Sequence, residues 1–217
     1  EHCTTPPKAV VLVDWGGLPC DLSGINTVAH KYGLKTVEDA AHAMGAKYQG
    51  AYVGAWSDFT AFSTQSIKNF STVDGGLLLC RSEVDYKEGK LLRWFGLDRD
   101  GPKKSFRCEL DLVRAGRKLH MNDLNATIGV ENLKEFPRLL AAHRDNANLY
   151  YDKLQPLIAA GVTLMDRVAG YESSQWLFTL RLPVGKRDLF EAYMLDKGVQ
   201  CSQVHAPNHK HTFAKTF

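Results

Sequence analysis

The chain of 217 residues has no long apolar run. No stretch approaches the ~20 consecutive apolar residues of a membrane-spanning helix, so no membrane partner is expected. Nor is there an excess of one charge. A formal net charge of +3, from 27 basic and 24 acidic residues with no block of like sign, leaves no electrostatic footprint for nucleic acid. The basic pair Lys103 and Lys104 reads as part of a solvated loop. Cysteine is scattered. Cys3, Cys20, Cys80, Cys108 and Cys201 are odd in number and form no CxxC pair or Cys/His cluster at metal-ligand spacing. They read as reduced thiols of a cytoplasmic protein without a metal. Neither GxGxxG nor a Walker loop occurs, which argues against a nucleotide-binding dehydrogenase or kinase. No Ser-His-Asp arrangement stands out, and no internal repeat or low-complexity tract is visible.

What is present is an ordinary globular composition, long enough to bury a core as one domain or as one and a smaller second. Ala9 to Val13 is a β-branched apolar run suited to a parallel strand covered on both faces. WGGLPCD follows as turn chemistry, and Asp21 or Ser23 can cap a helix whose Leu22, Ile25, Val28 and Ala29 recur at helical spacing, closed by Gly33. Leu34 to Val37 is the next strand, ending at Glu38 and Asp39, and the small residues of AAHAMGA suit a turn or short helix. The unit is β-α-β with a right-handed crossover. Lys47 to Val53 has the pattern of a small hairpin, and Trp56 to Phe62 that of a strand. A polar elbow carrying Lys68 follows, and Gly75-Gly76 leads into an apolar strand, Leu77 to Cys80.

From Ser82 through Trp94 the pattern is helical, and Asp98 to Gly116 reads as a loop, a lid or a subunit contact. Met121 to Phe136 is helical again, with Asn122 or Asp123 as cap and Pro137 at a boundary or kink. A long amphipathic helix, Leu139 to Ile158, bridges to a second domain. There, strands are expected at Val162 to Met165, Trp176 to Leu182 and Val199 to Val204, with a helix from Arg187 to Lys197 ended by Gly198. The expected division is residues 1–137 and 138–217.

Lys68 lies between two apolar strands. An ammonium in such a place either reaches solvent as an ordinary turn lysine or, with its pKa lowered, serves as a nucleophile toward an aldehyde or ketone. Asp39 is at the carboxyl end of its own strand, where ligands of α/β sheets bind. It reads either as a helix cap or as the carboxylate that keeps a pyridoxal ring protonated. His42, three residues on, falls on the same side of a helical turn and is either a satisfied core histidine or a partner of the ring's phenolic oxygen. Ser63 donates to a phosphate or bonds its own backbone.

The runs VVLVDWGGLPCDL, VEDAAHAMGA, VGAWSDFTAFSTQSIKN, STVDGGLLL, GRKLHMNDLNATIGVENL and GVQCSQVHAPNHKHTF, in this order over nearly the whole chain, resemble the DegT/DnrJ/EryC1/StrS family of pyridoxal-phosphate-dependent sugar aminotransferases. The resemblance implies an α/β fold: the three-layer αβα sheet of a fold-type I large domain, with part of a smaller α+β C-terminal domain. It implies pyridoxal 5'-phosphate as cofactor, with Lys68 as the Schiff-base residue, Asp39 on the pyridinium nitrogen, His42 on the phenolate oxygen and Ser63 on the phosphate. Lys118 is the candidate donor to the phosphate of a neighbouring subunit in a homodimer, with His120 as a second. Relatives that remove a hydroxyl carry histidine in place of the lysine, so Lys68 implies transamination, with glutamate as donor and a keto group on a nucleotide-linked sugar as acceptor. Arg99, Lys103, His205 and Lys210 lie in segments that can face a nucleotide diphosphate or remain solvated.

Members of the family carry roughly a hundred further residues before this point, judged against usual domain sizes. Those residues hold a phosphate loop and an aromatic that stacks on the ring. A partial chain is therefore expected, lacking that N-terminal part and the extreme C-terminus, with fewer than the seven strands of a complete sheet. Two other readings stand beside the enzyme: a catalytically inactive folded or dimerising module, and a plain Rossmann-like binding protein. The second leaves Asp39 and Lys68 together unexplained.

Overall fold

The computed structural model describes residues 5–101, 111–112, 114–165, 167–205 and 207–216. Cys3, Lys103 and Cys108 lie outside them. Strand β1 (Ala9–Val13) pairs in parallel with β2 (Lys35–Asp39), placing Val11 against Val37 and Val13 against Asp39. β2 pairs in parallel with β5 (Phe59–Ser63), and β6 (Gly76–Cys80) closes the row antiparallel to β5, giving the order β1-β2-β5-β6. The fold is α/β around a mostly parallel sheet, as expected.

Helix α1 (Leu22–Lys31) forms the crossover between β1 and β2. Asp21 is the cap, its carboxylate accepting from Gly24 N at 3.1 Å, so the cap falls on the first of the two expected residues. The helix buries Leu22, Asn26 and Ala29. Buried Asn26 has both ends of its amide satisfied: Nδ2 donates to Leu22 O at 2.7 Å and Oδ1 accepts from Thr36 Oγ1 at 3.0 Å, tying helix to sheet. Thr36 N and Lys35 Nζ both donate to Asp58 at 2.9 Å, which locks the start of β5 beside β2.

The core packs Leu12, Leu22, Ala40, Ala43, Ala46, Tyr48, Val53 and Phe62. The alanine-rich segment after β2 is a turn, its small side chains letting the backbone run through the packed interior. The hairpin is present as β3 (Lys47–Tyr48) and β4 (Ala51–Tyr52), and β8 (Tyr171–Glu172) adds to it antiparallel.

Three expectations change, and β6 is more exposed than its apolar composition suggests. Leu77, Leu78 and Leu79 of β6 are 40–57% exposed, because β6 is an edge strand with nothing on its far side among the described residues. The two helices expected on either side of Pro137 are one: after α2 (Glu83–Leu92), α3 runs Asp123–Leu154 straight through the proline. A mid-helix proline removes one backbone bond at about 3 kcal/mol. Packing holds α3 together there, with Phe136 edge-on to Phe70 at 5.6 Å and Phe136 and Leu140 against Gly45. The strands expected at Val162–Met165 and Trp176–Leu182 shrink to β7 (Thr163–Leu164) and β9 (Leu180–Arg181), which pair with each other. No strand forms over Val199–Val204, where Val199 and Val204 are exposed and no neighbouring strand takes up the backbone.

The chain forms two compact units, one of residues 1–153 and 165–179, the other of 154–164 and 180–217. The boundary expected after residue 137 lies inside α3. The second unit holds the β7–β9 ribbon and α4 (Arg187–Asp196), which ends before Gly198 at φ +75°. Among the described residues no helix is long and apolar enough to cross a membrane.

Leu22 is fully buried whereas Val84 is 77% exposed. In denaturant unfolding, Leu22→Ala is expected to cost about 2–5 kcal/mol and Val84→Ala within about 0.5 kcal/mol.

Candidate functional site

Parallel pairing brings the carboxyl ends of β1, β2 and β5 to one edge of the sheet, where the chain leaves each strand in a turn. Asp39 ends β2. Its backbone carbonyl accepts from Asp14 N at 3.0 Å, and its carboxylate, in an exposed position, accepts from Ala41 N at 3.1 Å. The remaining lone pairs of that carboxylate face outward from the sheet edge.

After Ser63 the elbow folds back on itself. Thr64 N donates to Gly75 O at 3.0 Å, Thr72 N to Thr64 O at 2.9 Å, and the buried hydroxyls of Thr64 and Thr72 meet at 2.7 Å. Gly75 has φ +142°, a backbone open to glycine. This clasp returns Lys68 over the end of β5. Lys68 is half-buried, and burial pushes its amine below the ordinary lysine value, while the charge of nearby Asp39 pulls the other way. Its Nζ stands 3.6 Å from the ring centroid of Trp176.

His42 sits in the turn after β2. Its Nδ1 accepts from Gly16 N at 3.2 Å, which in the neutral ring leaves the proton on Nε2. The ring lies 4.0 Å from that of Trp176 at 34° and takes the edge of Trp15 at 5.1 Å. Ser174 Oγ donates to His42 O at 2.6 Å. Asp39, His42 and Lys68 are thus brought together. Ser63 lies five residues before Lys68, and its hydroxyl accepts from Gln65 N at 3.3 Å, which keeps its own O–H as a donor.

Lys118 is elsewhere: exposed, and bridged through its backbone to Trp94. His120 packs edge-on to Trp94 at 4.1 Å and lines a separate cavity of about 870 Å³ beside α2. Arg99 lies over the Trp94 ring at 5.1 Å and lines the same cavity. His205 and Lys210 fall in the second unit. Among the described residues no group of three or more His, Cys, Asp or Glu is arranged to hold a metal ion.

Three features escape the sequence reading. Trp176 belongs to the site and not to a strand. Ser174 joins it there, from 132 residues along the chain. The third is a carboxyl pair under the site: Asp14, just after β1, and Glu38, just before Asp39, are both fully buried. Asp14 Oδ1 accepts from Cys20 N at 2.9 Å and Glu38 Oε2 from Thr60 Oγ1 at 2.9 Å. Burial first, then the neighbouring Glu38 charge, raises Asp14 to about 7. Burial and the Asp14 charge together push the Cys20 thiol up to about 11. An aspartate directly after VVLV stands at a strand end as Asp39 does, and that position was its available signal.

The folded chain keeps a proton on Asp14 that the unfolded chain releases near pH 4. Its contribution to stability is therefore fully present below that pH and is lost as pH rises toward about 7, at about 1.4 kcal/mol per unit. Unfolding measured across pH 4–7 is expected to show this downward slope, flattened in Asp14→Asn. Gly17, at φ +95°, is the second test. A Cβ there would collide with Ser174 Oγ and come within 2.9 Å of His42 O. Gly17→Ala is expected to cost roughly 1–3 kcal/mol or more in the same measurement.

Comparison with known proteins identifies the family. The model of the DegT/DnrJ/EryC1/StrS aminotransferase family matches residues 1–217. The protein MJ1066 of Methanocaldococcus jannaschii is 30% identical over 222 residues, covering 99% of this chain and 57% of that protein. Among solved structures, the sugar aminotransferase CalS13 from Micromonospora echinospora superposes with a TM-score of 0.89 at 29% identity, over 96% of this chain and 57% of that one. Spr1654 from Streptococcus pneumoniae, in its PMP form, gives 0.85 at 25% identity, over 96% and 57%. It was also solved in a PLP form. The chain spans a little over half the length of these relatives.

Proposed function

The chain belongs to the DegT/DnrJ/EryC1/StrS aminotransferase family, and we propose on that premise that it binds pyridoxal 5'-phosphate through Lys68 and Asp39 and moves an amino group from glutamate to the keto group of a nucleotide-linked sugar. The observation that carries this reading is the meeting of a half-buried lysine of lowered pKa with an outward-facing carboxylate at the carboxyl end of a parallel sheet.

These residues fit that cofactor. When bound, it supplies an aldehyde that takes up amino groups and a ring that draws electrons from the adjacent carbon. Lys68 supplies the amine for covalent attachment and, once released, carries a proton between substrate carbon and nitrogen. Its lowered pKa leaves more of it uncharged for both tasks. Asp39 holds a proton on the ring nitrogen through Oδ2, the carboxylate oxygen not used by Ala41 N. His42, with Nδ1 engaged by Gly16 N, offers Nε2–H to the phenolic oxygen. Ser63, accepting from Gln65 N, donates its O–H to the phosphate.

Lys118, away from this cluster and exposed, acts in the proposal on the phosphate site of a second copy, in a cytoplasmic homodimer. The sugar acceptor follows the function printed for CalS13. Of the four basic residues named for a nucleotide diphosphate, Arg99, His205 and Lys210 are described and Lys103 lies outside the described residues.

The test is a borohydride-fixed adduct. After incubation with pyridoxal 5'-phosphate and reduction, the peptide containing Lys68 is expected to gain the cofactor mass, and Lys68→Ala to gain nothing at that peptide. Absence of the adduct from the intact chain leaves the inactive folded module as the reading. With the adduct formed, a screen of nucleotide keto-sugars with glutamate identifies the acceptor, and Lys68→Ala is expected to lower turnover by at least ~10²-fold.

A further inference from the structure

Several separate parts of the chain hold the contact between Lys68 and Trp176. Trp176 Nε1 donates at 2.9 Å to the carbonyl of Ile67, the residue immediately before the lysine. Its ring presents one face to Lys68 Nζ at 3.6 Å and packs at 4.0 Å on His42. The backbone that carries it is pinned from three directions. Ser174 N and Leu177 N donate to Gly17 O and Gly16 O at 3.0 and 3.2 Å, joining it to the turn after β1. Ser174 Oγ reaches His42 O in the turn after β2. From α3, Arg144 Nε donates to Ser173 O at 2.9 Å, and His143 Nδ1 lies 3.2 Å from Gln175 O. Gln175 itself takes φ +52°, a left-handed turn uncommon outside glycine, immediately before the tryptophan.

We propose that Trp176 is the positioning residue of Lys68, holding the ε-amino group against the face of its indole, over the end of β5 and beside Asp39. The inference rests on the reading of Lys68 as the attachment lysine. A lysine side chain has four rotatable bonds and reaches many places from one backbone position. An aromatic face attracts its ammonium and excludes water from one side, while no hydrogen-bond acceptor among the described residues fixes its protons. A carboxylate in the same place would hold the amine charged. An indole orients it and holds its charge more weakly, so that burial lowers its pKa against the pull of Asp39; Asp39 and His42 are the described titratable groups facing it from the end of β2 and the following turn. At the strength of such contacts, loss of the face shifts the population of the held rotamer roughly 2- to 30-fold.

The experiment reads the contact in the chain without cofactor, then its consequence. In protein labelled with 13C at the lysine ε carbon, the Lys68 signal is assigned by its disappearance in Lys68→Arg. It is expected well upfield of the other lysines through the ring current, and to titrate below them. In Trp176→Leu it moves to the position of the other lysines; in Trp176→Phe, which keeps a ring face but lacks the N–H to Ile67 O, it stays upfield. Amide spectra of both variants report whether the fold is kept. A Lys68 signal at the common lysine position in the wild-type chain, or one unmoved by Trp176→Leu, overturns the proposal. Addition of pyridoxal 5'-phosphate and borohydride then separates the two claims. Slower capture of Lys68 in Trp176→Leu than in the wild-type chain, restored in Trp176→Phe, supports positioning, and equal capture rates overturn it. An upfield signal with no adduct in any variant overturns the function proposed for Lys68 and leaves its placement by Trp176 standing.

Discussion

Parallel pairing of β1, β2 and β5 is the constraint on which the site depends. With Val13 opposite Asp39 and Asp39 opposite Ala61, three chain segments leave the sheet at one edge and at nearly one level. The segments beyond the three strands are thereby forced to meet: Asp14 and the Trp15–Gly17 turn from the first, Asp39 and His42 from the second, Ser63 and the Lys68 elbow from the third. A one-residue slip of β2 would turn Asp39 to the face where Glu38 is buried and bring Glu38 to the other. The hydrophobic pattern of the strands and the bonds of Thr36 and Lys35 to Asp58 guard against that slip.

The alternation along β2 divides two carboxyl groups by environment. Asp39 faces outward with one oxygen used by Ala41 N, whereas Glu38 points inward and shares its burial with Asp14. Burial of Asp14, with the neighbouring Glu38 charge adding to it, is why Asp14 stays protonated to about pH 7. The same strand thus exposes one carboxyl group at its end and keeps another in a buried pair beneath it.

Much of this was legible. The β-α-β opening, a helix cap at Asp21 or Ser23, the hairpin, and the strand-elbow-strand around Lys68 follow from periodicity and turn residues, which act over a few positions. Asp39 and Lys68 could be paired because both stand where apolar strands end. Where the reading failed, partners distant in sequence decided the outcome. Pro137 does not end α3, because Phe136 and Leu140 find Phe70 and Gly45. Val199–Val204 has strand-forming residues yet no strand, because a ladder needs a neighbour and none is there among the described residues. Leu77 to Leu79 look like core and are exposed, because apolar composition does not say which strand lies at an edge.

Trp176 marks the boundary between the two kinds of information. In the sequence it is an aromatic at the head of an apolar run, as good a strand residue as its neighbours. In the folded chain it lies 109 residues from the carbonyl its indole bonds and beside the lysine that carbonyl precedes. The sequence by itself determined which residues bear chemistry and at which strand ends they stand, because side-chain type and local period are properties of short segments. Only the tertiary structure decided what touches them. Contacts across a hundred residues depend on where α3 and the turn after β1 set the returning chain, and no local pattern encodes that placement.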